Sequence, residues 1–151
     1  MSSVALSFVI PLYRSADTIA AVVRDIEALE IEGGHEIILV NDGSKDRTLA
    51  IATDIARHDP RVAVVNFRRN YGQTPAMAAG IEQARGRVLV TMDGDLQNDP
   101  RDIGAMVDVL EKTPADIVAG WRKDRKDAFI NRRLPSTIAN WLISRATGVK
   151  L

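Results

Sequence analysis

Short β-rich apolar runs alternate with amphipathic stretches of helical spacing along nearly the whole chain, and that alternation leaves few folds open. Ala5 to Leu12 (A-L-S-F-V-I-P-L) is a continuous apolar run of strand length closed by Pro11, as expected of a central parallel strand buried on both faces. Asp17-Thr18 opens a helix whose apolar positions Ile19, Val22, Val23, Ile26 and Leu29 recur at helical spacing, and Gly33-Gly34 ends it. Further strands are predicted at Glu36 to Val40, Val62 to Phe67, Val88 to Met92 and, short and last, Ala115 to Ala119. Between them come helices at Thr48 to Arg57, capped from Ser44 or Asp46, at Ala76 to Ala84 with a small-residue face, and at Pro100 to Lys112 with Asp99 as N-cap. Such alternation predicts an α/β fold, a Rossmann-like, doubly wound, mainly parallel sheet with right-handed crossovers.

In a sheet of this kind ligands bind beyond the carboxyl ends of the strands, near the point where strand order reverses. Pro11 to Tyr13, Asn41-Asp42-Gly43 and Asp93-Gly94-Asp95 all fall just after strands and share that edge. Taken singly, Asp42-Gly43 reads equally as a type I turn, and Tyr13 as a packing residue. The third loop is the most telling. Asp93 and Asp95 lie one residue apart across Gly94, so both carboxylates can converge on one point, and two such charges repel unless a cation or proton stands between them. Mg²⁺ takes one or two carboxylates and completes its shell with water and phosphate oxygens, which makes the pair a candidate metal diphosphate site, with the Gln97 amide oxygen as a further ligand. Gly94 is expected to allow a sharp turn and close approach of a ligand.

The chain has 151 residues, 46% apolar and 26% charged, which suits an ordinary globular domain. It contains no cysteine, which excludes thiolate metal sites and cysteine nucleophiles. His35 and His58 stand apart without ligand spacing and read as surface residues. The start of the chain lacks the basic region of a signal peptide, and no apolar run approaches the ~20 residues of a membrane span. Charge is unevenly placed: residues 1–120 carry a net −6 and residues 121–151 a net +6, which points to an anionic partner near the C-terminal end. The organisation expected is therefore a nucleotide-binding α/β part over 1–120 and a basic, amphipathic segment of the same domain, facing an anionic partner or a membrane surface, over 121–151. Within the latter, Ile138, Trp141, Leu142 and Arg145 are spaced as one face of a helix spanning Pro135 to Thr147.

The segments V-I-P-L-Y (9–13), V-N-D-G-S-K-D-R-T (40–48), N-F-R-R-N-Y-G-Q (66–73), M-D-G-D-L-Q-N-D-P (92–100) and V-A-G-W-R-K-D-R-K-D (118–127) resemble the family 2 glycosyltransferases of GT-A fold. Within that family the pairing of D-x-D-L-Q-x-x-P with G-x-R-x-x-R is most similar to the polyprenyl-phosphate branch, which includes dolichyl-phosphate mannosyltransferases and undecaprenyl-phosphate aminoarabinose transferases. The resemblance implies an inverting, metal-dependent transfer of a sugar from a UDP- or GDP-linked donor to a polyprenyl phosphate at the cytoplasmic face of a membrane. It implies that Pro11, Tyr13, Asp42 and Asp93 hold the nucleotide, and that Asp93, Asp95 and Gln97 bind Mg²⁺ or Mn²⁺. Asp95, Arg122 and Arg125 would act at the reacting centre, with Arg122, Arg125 and Arg132 meeting donor or acceptor phosphates. No nucleic acid is expected as a partner, and an oligomer is compatible with the pattern. Where the family reads P-x-Y-N-E this chain has Arg14 and Ser15, and family catalytic domains run beyond the length seen here, so a truncated catalytic domain is expected. Three alternatives stand beside this: a sugar-phosphate nucleotidyltransferase, disfavoured by the absence of a Gly-rich basic loop after the first strand; a receiver domain, disfavoured by Leu12-Tyr13 where paired acids belong; and a non-catalytic nucleotide-binding module.

Overall fold

The structure is a computed structural model, and residues 4–120 are described. Four parallel strands, β1 (Leu6–Leu12), β2 (His35–Asn41), β3 (Val62–Asn66) and β4 (Val88–Thr91), form one sheet in the order β3-β2-β1-β4. The connecting helices are α1 (Ile19–Glu27), α2 (Thr48–His58) and α3 (Gln73–Gln83); after β4, a 3-10 turn (Pro100–Asp102) leads into α4 (Ile103–Lys112). One compact unit extends through Val118.

The alternation of side chains along β1 explains the two layers. Phe8, Ile10 and Leu12 point to one face, where they pack with Ile37 and Leu39 of β2, with Ile19, Val22, Val23 and Ile26 of α1, with Ala52 of α2 and with Ile103 of α4. Val9 points to the other face and joins Ile38, Val40 and Ala76 of α3. The small-residue face of α3 has a clear function there: a Cβ on Gly80 would lie 2.3 Å from Val9 Cγ1, so only glycine lets the helix sit this close to the sheet.

At the amino edge of the sheet the register pairs Ser7 with Glu36. Glu36 is buried, yet its carboxylate is fully used: Oε1 accepts from Ser7 Oγ at 2.6 Å and from Arg85 N at 2.7 Å, while Oε2 accepts from the Arg85 guanidinium at 2.9 and 2.5 Å. Gly86 N donates to Ser7 Oγ at 2.7 Å, so β1, β2 and the α3–β4 connection are fastened together. Burial works against ionisation of Glu36, but the Ser7 hydroxyl and the Arg85 bonds outweigh it and hold its carboxyl below the ordinary value.

Two expectations need correction. Ala115 to Ala119 is not a strand: it pairs with no other segment among the described residues, and Ile117 is 83% exposed. A short apolar run becomes a strand only where a neighbouring backbone completes the ladder. Nor is His35 a surface residue. As the first residue of β2 it is 6% exposed, its ring stands edge-on to Phe8 with centroids 5.8 Å apart, and burial, aided by Arg61, lowers its pKa. His58 is exposed as expected.

The Glu36 cluster yields a pH-dependent prediction. A carboxylate with a depressed folded pKa contributes stability that is complete above its unfolded value, near 4.5, and is lost as the pH falls below that toward the folded value. Glu36→Gln is therefore expected to cost about 1–3 kcal/mol at neutral pH. The gap between variant and parent in urea unfolding is expected to narrow as the pH falls below 4.5, and a gap independent of pH would contradict this account.

Candidate functional site

Pro11 opens the site. In β1 the even residues bond toward β2, as when Leu12 O accepts from Asp42 N, and the odd residues bond toward β4, as when Val9 O accepts from Met92 N. Pro11 faces the β4 side without an N–H to give, and the β1–β4 pairing ends at Val9 and Thr91. Past that point the chain after β4 is free to leave the sheet, which is where strand order reverses and where Asp93, Gly94 and Asp95 sit.

Gly94 is buried between two exposed aspartates. Its backbone lies outside the left-handed region, so a sharp glycine turn is not the reason for it. A Cβ here would come within 2.8 Å of Leu12 Cδ2, and Gly94 O accepts from Thr18 Oγ1 at 2.5 Å. Close packing on β1 and a bond to the start of α1 therefore fix the loop, correcting the expectation drawn from its glycine. Asp95 Oδ1 accepts from Gln97 N at 3.0 Å, and Asp93 Oδ1 accepts from Gln73 Nε2 at 2.9 Å. Among the described residues each carboxylate thus has a partner on one oxygen only. Leu96, between Asp95 and Gln97, adopts a φ of 61° and is half-exposed, a strained conformation of the kind that collects at binding sites.

Asp42 is buried, at 3% exposure, and follows β2 directly. Its Oδ1 accepts from Tyr71 N at 2.7 Å and its Oδ2 from Gly72 N at 2.9 Å, while Asn70 Nδ2 donates to its main-chain oxygen at 3.3 Å. Gly43 turns with a φ of 63°, and a Cβ on it would lie 2.2 Å from the Arg69 carbonyl carbon, so the two loops touch backbone to backbone. The clamped loop carries Tyr71, half-exposed, with the Phe67 ring edge-on at 5.5 Å and the Arg69 guanidinium 4.9 Å over its face. Asp46 caps α2, accepting from Thr48 N at 3.1 Å and Thr48 Oγ1 at 2.6 Å.

Tyr13, expected to hold the nucleotide, is half-exposed beneath the Arg14 guanidinium at 5.4 Å. Arg14 has a φ of 54°, a conformation that asparagine tolerates better than arginine does, and its N donates to Ser44 Oγ at 3.1 Å; Ser15 N donates to Thr48 Oγ1 at 2.9 Å. The structure thus places Pro11, Tyr13, Asp42, Asp93, Asp95 and Gln97 on the carboxyl edge. Arg122, Arg125, Arg132 and the Pro135 to Thr147 helix lie outside the described residues. Thr18, read only as a helix opener, and Gln73, the last residue of the N-F-R-R-N-Y-G-Q segment, were given no site role from the sequence. A depression of about 660 Å³, floored by Leu29, Ile31 and Val107 and rimmed by Glu111 and Arg101, opens at the opposite, amino edge of the sheet and has no part in this arrangement.

The donor set suits a hard divalent cation. Two exposed carboxylates and an amide are oxygen donors, and among the described residues no group of three or more His, Asp or Glu forms a closed cage. That is the ligand supply of an ion shared with substrate phosphates.

Solved structures with the same architecture include a mannosyltransferase from Pyrobaculum calidifontis in complex with GDP-Man and Mn²⁺, with a TM-score of 0.62 and 21% identity over 72% of this chain and 32% of that one. Glucosyl-3-phosphoglycerate synthase from Mycobacterium tuberculosis, in complex with Mn²⁺, UDP and its product, aligns with a TM-score of 0.58 and 23% identity over 70% of this chain and 39% of its own. The fold is GT-A. Residues 7–150 match Glycosyl transferase family 2, and the chain belongs to that family. Among its relatives is the dodecaprenyl-phosphate galacturonate synthase of Rhizobium johnstonii, 47% identical over the whole of this chain and 46% of the relative. Another is the undecaprenyl-phosphate 4-deoxy-4-formamido-L-arabinose transferase of Pseudomonas fluorescens, 39% identical over 97% of this chain and 43% of its own length. The chain spans less than half the length of these relatives.

Gly43→Ala is expected to break the contact between the two loops and to cost about 2 kcal/mol or more, from left-handed strain and the clash with Arg69. Urea unfolding reads this directly; a loss below about 0.5 kcal/mol, within the range of an ordinary surface substitution, would mean that the loops are not held as described.

Proposed function

We propose that this chain binds the donor in a glycosyltransferase that moves a sugar from a nucleoside diphosphate to a polyprenyl phosphate, with inversion and with a divalent cation. The observation that carries the proposal is the carboxylate pair Asp93 and Asp95, held at the strand-reversal crevice by Gly94 packing on Leu12. The family match and the polyprenyl-phosphate transferases among the relatives support the substrate class.

Residues 1–120 take the donor: Pro11, Tyr13 and Asp42 on the nucleoside side, Asp93 between ribose and metal, and Asp95 with Gln97 at the diphosphate. Asp42 acts largely through the Tyr71–Gly72 backbone that its carboxylate holds. Mg²⁺ or Mn²⁺, when bound, neutralises charge that grows on the departing diphosphate. A phosphate oxygen of the acceptor attacks the anomeric carbon as the bond to the diphosphate oxygen breaks, and the nucleoside diphosphate leaves. Since the acceptor is already anionic, the step depends on positioning more than on a general base, in keeping with the lack of His or Glu beside the pair. The basic segment 121–151 meets the acceptor, with Arg122, Arg125 and Arg132 on phosphates, at the cytoplasmic surface of a membrane. Among the described residues no helix is long and apolar enough to cross one.

Asp95→Ala is expected to abolish the Mn²⁺-promoted part of UDP or GDP binding, at least a tenfold loss by calorimetry, with the thermal midpoint unchanged because Asp95 is exposed. Parent-like binding in that variant, with metal present, would remove Asp95 from the site.

A further inference from the structure

Asp42 and Asp93 follow strands β2 and β4, which flank β1, and two consecutive residues bridge them. Gly72 N donates to Asp42 Oδ2 at 2.9 Å, and the next residue, Gln73, donates through Nε2 to Asp93 Oδ1 at 2.9 Å. We propose that Gln73 is a positioning residue, which sets the Asp93 carboxylate for the divalent cation. The inference rests on the donor-site function proposed above.

Three features carry it. First, the bridge is stiff: Gln73 begins α3, and that helix is seated on Val9 and Val40 by Ala76 and by Gly80, where a Cβ would lie 2.3 Å from Val9 Cγ1 and 3.0 Å from Val40 Cγ2. The start of α3, and Gln73 with it, is therefore held in place against the sheet. Second, Gln73 is exposed and touches no core cluster, and an exposed side-chain hydrogen bond adds little to stability, so the bond has its main effect on Asp93. Third, an amide donor on Oδ1 fixes the plane of the Asp93 carboxylate while adding no charge. The second oxygen remains for a cation, and the carboxylate is kept from swinging away from the like charge of Asp95.

The test uses the intact chain, titrated with MnCl₂ by calorimetry, with and without UDP and GDP, and with thermal midpoints measured alongside. In the parent, Mn²⁺ is expected to bind more tightly when nucleotide is present. Gln73→Met, which keeps length but has no donor, and Gln73→Ala are both expected to weaken Mn²⁺ about five- to tenfold, with nucleotide present and without it. Metal-free nucleotide affinity and the thermal midpoint should stay at parental values. Thr74→Ala, the exposed neighbour on the same helix end, should match the parent. Parental metal affinity in both Gln73 variants would overturn the proposal. So would equal losses in Thr74→Ala, or losses in metal-free nucleotide binding as large as those for metal, since either would assign the effect to the helix terminus as a whole. A parent chain that binds neither ligand would instead bring down the donor-site proposal, and this one with it.

Discussion

The pairing of β1 on both of its edges is the constraint on which everything else depends. A parallel strand with neighbours on each side and helices on each face has no solvent to satisfy its backbone, so each departure from the ladder must occur at an end. The two ends are treated in opposite ways. At the amino edge a buried carboxylate, Glu36, binds two strands and the α3–β4 connection into one network. At the carboxyl edge Pro11 withholds an N–H, pairing with β4 stops, and a crevice opens. The site is thus a place where the sheet has been left unfinished next to a place where it is firmly closed.

Buried acids serve structure at both ends. Glu36 and Asp42 are each almost wholly enclosed, and each gives its oxygens to backbone amides that come from far along the chain. The acids left in solvent, Asp93 and Asp95, are the ones suited to a ligand. Near the crevice the enclosed Asp42 shapes a loop and the exposed Asp46 is spent on Thr48, while Asp93 and Asp95 each have a partner on one oxygen only among the described residues.

Much of this was legible in the sequence, because it is written in local patterns. The apolar run of β1, the helical spacing of Ile19, Val22, Val23 and Ile26, and the capping residues Asp46 and Asp99 all state their structure within a few positions. The D-G-D loop was found at the strand end where it lies. What escaped depends on partners distant in sequence. His35 looked exposed because nothing near it shows that Phe8 covers its ring. Ala115 to Ala119 had strand composition, but composition supplies no neighbour to pair with. The glycine of D-G-D was credited with a turn, whereas its cause is Leu12, more than eighty residues earlier. Gln73 and Thr18 were given no site role from the sequence and gain one only from Asp93 and Gly94.

The bond from Thr18 to Gly94 spans 76 residues. Closing a loop of that length has a larger entropic cost than pairing β1 with the nearer β2, which favours late docking of β4 on β1. On a chain emerging from a ribosome, N-terminal end first, the Asp42 clamp can form once Gly72 has appeared, well before Asp93 is synthesised. The Asp42 side of the crevice thus precedes the Asp93 side in time, and a nascent chain passes through a stage in which it has one wall of the crevice and not yet the other.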